Sequence, residues 1–148
     1  VSFGEALAEA QRRGIAEADP GLDVDGLDAA AKLVIIANSV LARPTVLGDV
    51  QIAGIRDVTP AQLAAVQRQG RVLKLLALAE RAGGGYRLSV QPTALEAAHP
   101  LARLRPWEMG VRYVTDTMGV VYAVIDEPDP LPTAAALLRD VIDIYAGR

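Results

Sequence analysis

The chain has 148 residues, half of them apolar, which is enough for one domain with a sizeable buried core. A formal net charge of -3, a pI near 5.1 and no Lys/Arg run beyond "QRR" and "LARLR" exclude the footprint of a phosphate backbone, so nucleic acid is not an expected partner. The absence of cysteine excludes disulfides and thiolate metal sites and fits a reducing compartment, so a cytoplasmic protein is expected.

The first stretch, "SFGEALAEAQRRG", places Ser2 three residues before Glu5, the spacing of a capping box. Phe3, Ala6, Leu7 and Ala10 follow at helical intervals and Gly14 supplies a stop, predicting a first helix. No signal peptide opens the chain, and Val1 in place of methionine is expected of a chain that begins inside a longer one. After an acidic loop, Asp25 is expected to cap a second helix from Gly26 to about Ala42 by accepting from the N–H of Leu27 or Asp28, with Arg43 and Pro44 ending it. The uncharged run in that helix, "LVIIANSVLA", is far short of the ~20 residues of a membrane span, so no membrane partner is expected.

"DVQIAGI" reads as a short strand. "TPAQLAAVQRQG" repeats the start signals, with Thr59 as cap, Pro60 at the first helical position, Gln62 completing the box and Gly70 as stop. "RVLKLLALAE" and "YRLSVQPT" flank "RAGGG" as a hairpin, and "MGVRYVTDTMGVVYAVID" forms a second one turning near Asp116–Gly119. Leu137, Leu138, Val141, Ile142 and Tyr145 recur at helical spacing in "PTAAALLRDVIDIY", which closes the chain as a helix. Helices mixed with hairpins predict an α+β fold, a mixed or antiparallel sheet covered by helices, in a single domain spanning residues 1–148.

Chemistry concentrates between Glu17 and Lys32, "EADPGLDVDGLDAAAK", where five carboxylates in twelve residues precede one lysine. A calcium loop with Gly26 at its invariant glycine would put Gly21 at the first ligand and Lys32 at the bidentate glutamate; both ends fail, and no metal site is expected. Asp28 and Lys32 lie four apart, so they share a helix face. One reading is a solvated pair worth roughly 0.3 to 0.5 kcal/mol. The other follows from the apolar residues around Lys32, the only charge from Ala29 to Ala42: such a helix belongs inside a protein or under a second domain, leaving Lys32 partly desolvated. An amine positioned by a carboxylate can pass a proton to and from a reacting oxygen, as interconversion of an alcohol and a carbonyl requires. Glu17 and Asp23 would suit a substrate ammonium, or simply belong to a solvated turn. His99, the only histidine, reads as a loop residue rather than a ligand, and Trp107 as a core anchor or an interface residue.

The segment "EALAEAQRRGIAEADPGLDVDGLDAAAK" closely resembles the part of homoserine dehydrogenases in which a helix ending in Ala-Gln leads through a Glu, Asp-Pro and Asp-rich loop to an Asp-x-x-x-Lys helix. The likeness continues more loosely through "IAGIRDVTPAQLAAVQRQGRVLKLLALAE" and returns in "LPTAAALLRDVIDIY". It implies an NAD(P)-dependent oxidoreductase interconverting L-aspartate semialdehyde and L-homoserine, in threonine and methionine biosynthesis. It also implies that Lys32 transfers the proton at the substrate oxygen, that Asp28 orients and tunes it, and that Glu17 and Asp23 hold the substrate ammonium. An α+β substrate domain whose sheet helps form a homodimer is a further implication.

Three departures bear on cofactor use. No G-x-G-x-x-G follows a strand in this chain, so NAD(P) is expected to be bound by a missing Rossmann domain, in cis or in trans, and the cofactor-binding residues are unknown. The family's Gly-Thr-Thr-Asn segment is absent. Where the family has a Tyr-Gly-x-Gly-Ala-Gly loop near the nicotinamide, this chain reads "VIDEPDPLPT", with prolines that resist close backbone approach and acids that repel phosphate. The isolated chain is therefore expected to be inactive, and the alternative is a degenerate amino-acid-binding or dimerisation module without catalysis.

Overall fold

The computed structural model describes residues 1–127 and 129–147, so Pro128 of the "DEPDP" stretch and Arg148 lie outside the described residues. The chain forms two compact units, Val1–Ala97 and Ala98–Arg148. The first contains α1 (Phe3–Arg12), α2 (Gly21–Val24), α3 (Leu27–Ser39), β1 (Val50–Ile52), α4 (Pro60–Arg68), β2 (Arg71–Ala82) and β3 (Gly85–Glu96). The second contains β4 (Glu108–Val114), β5 (Val120–Asp126) and α5 (Leu131–Tyr145). The fold is α+β, with one mixed sheet and one antiparallel hairpin.

Both expected capping boxes form, because each needs only residues three apart. The Ser2 hydroxyl accepts from the Glu5 N–H while the Glu5 carboxylate accepts from the Ser2 N–H at 2.7 Å, and Thr59 and Gln62 repeat the exchange ahead of Pro60. β2 and β3 pair antiparallel over all twelve residues of each, turning at Gly83 and Gly84, whose φ values of +55° and +78° suit the primed turns that match strand twist. β1 joins the same sheet parallel to β3, giving the order β1-β3-β2. In the second unit β4 and β5 pair antiparallel across residues 115–119, where the Thr115 hydroxyl both accepts from the Met118 N–H and donates to the Gly119 carbonyl.

The core of the first unit lies where α3 crosses one face of this sheet. Ala30, Leu33 and Ala37 form its buried stripe and meet Val50, Leu88 and Val90, with Ile52, Leu75 and Ala79 packed around them. Two alanines in that stripe allow the helix axis close to the strands. Gly26 begins the approach: a Cβ there would stand 3.0 Å from a Val90 methyl, and its φ of +80° lies in the left-handed region.

The expected start and end of this helix need correction. Asp25 does not cap it: Gly26 occupies the N-cap with no side-chain bond, and the Asp25 carboxylate is engaged instead by Arg56, 31 residues away. The helix stops at Ser39 rather than about Ala42 because the Asn38 amide donates to the Thr45 carbonyl at 2.9 Å and accepts from the Thr45 N–H at 3.1 Å, folding the chain back on itself. The one-turn α2 inside the acidic loop was not foreseen; four residues leave no periodicity to read. No helix among the described residues is long and apolar enough to cross a membrane.

The segment after β1 presses on the start of α3. A Cβ on Gly54 would lie 2.3 Å from the Val24 carbonyl oxygen and 2.7 Å from the Asp25 Cα, both backbone atoms that cannot rotate away. Gly54→Ala should therefore destabilise the fold by about 2 kcal/mol or more, as overpacking does. Gly48→Ala, with nothing within 4 Å of the new Cβ, should change the urea midpoint far less, and equal shifts for the two variants would contradict the packing described.

Candidate functional site

Two structural devices present the acidic loop. At the end of α1 the Gln11 side-chain amide donates to the Glu17 carbonyl at 2.9 Å and to the Ala18 carbonyl at 3.3 Å, fixing the backbone from which the Glu17 carboxylate projects. Asp19 then accepts from the Gly21 N–H at 3.1 Å, starting α2, which carries Asp23. Gln11 was missed as a positioning residue. Its trace in the sequence is the Ala-Gln in the last turn of the first helix, part of the pattern that carries the resemblance.

Lys32 and Asp28 lie on α3, on the side opposite the buried stripe, because positions 28 and 32 stand roughly half a turn around from 30, 33 and 37 at 100° per residue. Their charged groups meet at 2.8 Å. The expected desolvation of Lys32 is not found within this chain: its side chain is 56% exposed and that of Asp28 44%. The helix buries one stripe, not its whole circumference, and the apolar Ile35 on the outer side is also exposed.

The charges of the loop divide into two groups. Asp25 receives two hydrogen bonds from the Arg56 guanidinium, the one from Nη2 measuring 3.0 Å, and these hold its carboxyl below the ordinary carboxylate range. The same pair, with a weaker pull from Asp19, raises the Arg56 guanidinium. Asp28 is matched by Lys32. The Glu17 and Asp23 carboxylates have no ion pair or hydrogen bond among the described residues, and neither bonds to the Lys32–Asp28 pair. The loop thus leaves the Glu17 and Asp23 carboxylates open and leads into a helix whose lysine is paired.

These groups lie on an open surface. A cleft of about 270 Å³ at the far end of α3, lined by Ala37, Arg43, Asp49 and Tyr86 among others, contains none of them. The glycine run does not fit a dinucleotide phosphate: Gly83, Gly84 and Gly85 form a β-hairpin turn rather than a strand-to-helix turn, so no helix N-terminus follows to receive an anion. No group of three or more His, Asp or Glu able to hold a metal is found among the described residues. His99 spends its Nδ1 accepting from the Leu101 N–H, with its ring edge-on to Tyr122 at 6.0 Å, which makes it a structural cap, and Trp107 is about half exposed.

Compared with known proteins, residues 1–142 match the homoserine dehydrogenase family. The chain belongs to that family. A homoserine dehydrogenase of Synechocystis is 40% identical over 97% of this chain, and one of Methanocaldococcus jannaschii is 37% identical over 98%. The crystal structure of Staphylococcus aureus homoserine dehydrogenase superposes with a TM-score of 0.89 at 32% identity over 99% of this chain, and that of the Thiobacillus denitrificans enzyme with 0.90 at 32% over 97%. The chain spans only 34% and 42% of the two curated relatives and 37% and 33% of the two solved chains.

The Asp25–Arg56 pair carries a pH signature. A carboxyl whose folded pKa lies below its unfolded one adds stability that is fully present above the unfolded value and is lost as pH falls through the folded value. Stability should therefore decline as pH drops below about 4, and Asp25→Asn should flatten part of that decline. Urea midpoints across this range test it; parallel profiles for the two proteins would contradict the pairing.

Proposed function

We propose that this chain is the substrate-binding and catalytic part of an NAD(P)-dependent homoserine dehydrogenase, interconverting L-aspartate semialdehyde and L-homoserine on the route to threonine and methionine. The observation that carries the reading is the charge division of the segment: the carboxylates of Glu17 and Asp23, left without a bonded partner, are those suited to a substrate ammonium, while the Lys32 amine is held by Asp28 at 2.8 Å. An amino-acid substrate bound by its ammonium would present its side-chain oxygen to Lys32. In the direction of reduction the Lys32 ammonium gives a proton to the aldehyde oxygen; in oxidation the neutral amine takes one from the hydroxyl. Asp28 orients the amine through both states.

The dinucleotide would supply the hydride chemistry from a Rossmann domain outside these residues. A relative from Pseudomonas canavaninivorans, 35% identical, is named an NAD(+)-dependent homoserine dehydrogenase, which supports a nicotinamide cofactor for the family. The exposed apolar residues of α5, Leu137, Leu138, Val141, Ile142 and Tyr145, on a helix with no buried residue, support a further domain. A cytoplasmic homodimer, joined in part through the sheet, completes the reading. The second reading, a binding or dimerisation module without catalysis, draws on the acids Asp126, Glu127 and Asp129 where the family carries a glycine loop, and on the exposure of Lys32.

Aspartate-semialdehyde-dependent NAD(P)H oxidation separates the two. The full-length natural protein should turn over, Lys32→Ala should lose a factor of roughly 100 or more in kcat, and the 148-residue chain alone should show negligible activity. Full activity in the Lys32→Ala protein, or no activity in the natural one, would favour the module.

A further inference from the structure

We infer that Arg56 is a positioning residue of the substrate site, acting through Asp25 to hold Asp23 in place and to cancel acids that would otherwise repel the substrate carboxylate. The inference rests on the reading of Glu17 and Asp23 as ammonium-binding groups. Arg56 lies beyond β1 and far in sequence from the acidic loop, and two ties join its segment to the C-terminal end of α2. The Ile55 N–H donates to the Val24 carbonyl at 2.8 Å. Gly54 lets that approach happen, since any Cβ there would strike the same carbonyl. Arg56 then grips Asp25 through Nε and Nη2 together, the two-pronged geometry that a planar guanidinium offers and an ammonium does not. Asp23 stands two residues from the gripped carboxylate, on a helix of a single turn that is too short to hold its own shape.

The charge argument points the same way. A homoserine-like substrate carries a carboxylate next to its ammonium, so a loop of five bare acids would repel one end while attracting the other. Arg56 pairs with Asp25 within electrostatic reach of Asp19, which itself accepts the Gly21 N–H, and Lys32 pairs with Asp28, which leaves Glu17 and Asp23 as the carboxylates with no bonded partner. The Arg56 guanidinium also approaches Gly21, the first residue of α2, where a Cβ would meet its Nη2 at 3.8 Å. A lysine at position 56 would keep the charge and lose the fork.

The test uses the full-length enzyme with Arg56→Gln, Asp25→Asn, the double variant and Arg56→Lys. Arg56→Gln should raise KM for homoserine about tenfold with a smaller fall in kcat and little change in KM for the dinucleotide. Asp25→Asn should do the same, the double variant should be no worse than either single one, and Arg56→Lys should recover part of the loss. Amide exchange at residues 21–25 should speed up about tenfold in Arg56→Gln, a readout independent of turnover. Wild-type KM and wild-type exchange in Arg56→Gln, additive losses in the double variant, or a loss confined to dinucleotide KM would overturn the inference. Inactivity of the wild-type enzyme with homoserine, alongside the faster exchange, would instead overturn the ammonium-site reading and leave the role of Arg56 in holding α2 standing.

Discussion

The seating of α3 on the three-stranded sheet is the constraint on which the candidate site depends. Ala30, Leu33 and Ala37 face Val50, Leu88 and Val90, and this contact fixes both the rotation and the height of the helix. Burying a leucine such as Leu33 contributes about 1.5 to 3 kcal/mol, far more than the exposed Asp28–Lys32 pair on the other side can. Packing therefore decides where the lysine points, and the ion pair follows. Gly26 and Gly54 act at the same place, one admitting the helix start to the sheet and the other admitting the chain after β1 to the helix start.

The acidic loop follows from that seating. It leaves α1 under the grip of Gln11 and enters α3 past Asp25, so both of its ends are tied to packed elements before any charge is considered. Between the ties the chain has too few residues for a stable helix of its own, and α2 persists through its neighbours. Electrostatics then sorts the carboxylates: Asp25 and Asp28 are matched by Arg56 and Lys32, Asp19 takes the Gly21 N–H, and Glu17 and Asp23 have no bonded partner among the described residues. A family whose substrate is an amino acid has a physical use for such a division, since open charge can read an ammonium while matched charge spares the carboxylate.

What could be read from the sequence was mostly local. Ser2 with Glu5, Thr59 with Pro60 and Gln62, and the glycines between β2 and β3 act over three or four residues, and each forms as expected. The hairpins and the closing helix follow from periodicity. Misreadings arose where a distant partner outbid a near one. Asp25 had the right spacing to cap α3, but Arg56 offered two charge-assisted bonds, and no window around Asp25 contains that arginine. Asn38 sits in an otherwise apolar run, and the partner whose bonds end the helix, Thr45, lies seven residues on. Apolar composition suggested a helix covered all round, whereas this chain covers one stripe. The resemblance, by contrast, was legible because "EADPGLDVDGLDAAAK" keeps residue types and spacing together, and the family match over residues 1–142 bears it out.

On the proposed function, the open carboxylates read an ammonium while the lysine works on an oxygen. The measurement that tests it most directly compares kcat/KM of the full-length protein for homoserine and for the same hydroxy acid without its amino group, in wild type and in a Glu17→Gln, Asp23→Asn protein. Wild type should favour homoserine by a factor of roughly 100 or more, and the variant should lose most of this preference by weakening on homoserine alone. Equal discrimination in both proteins would contradict it.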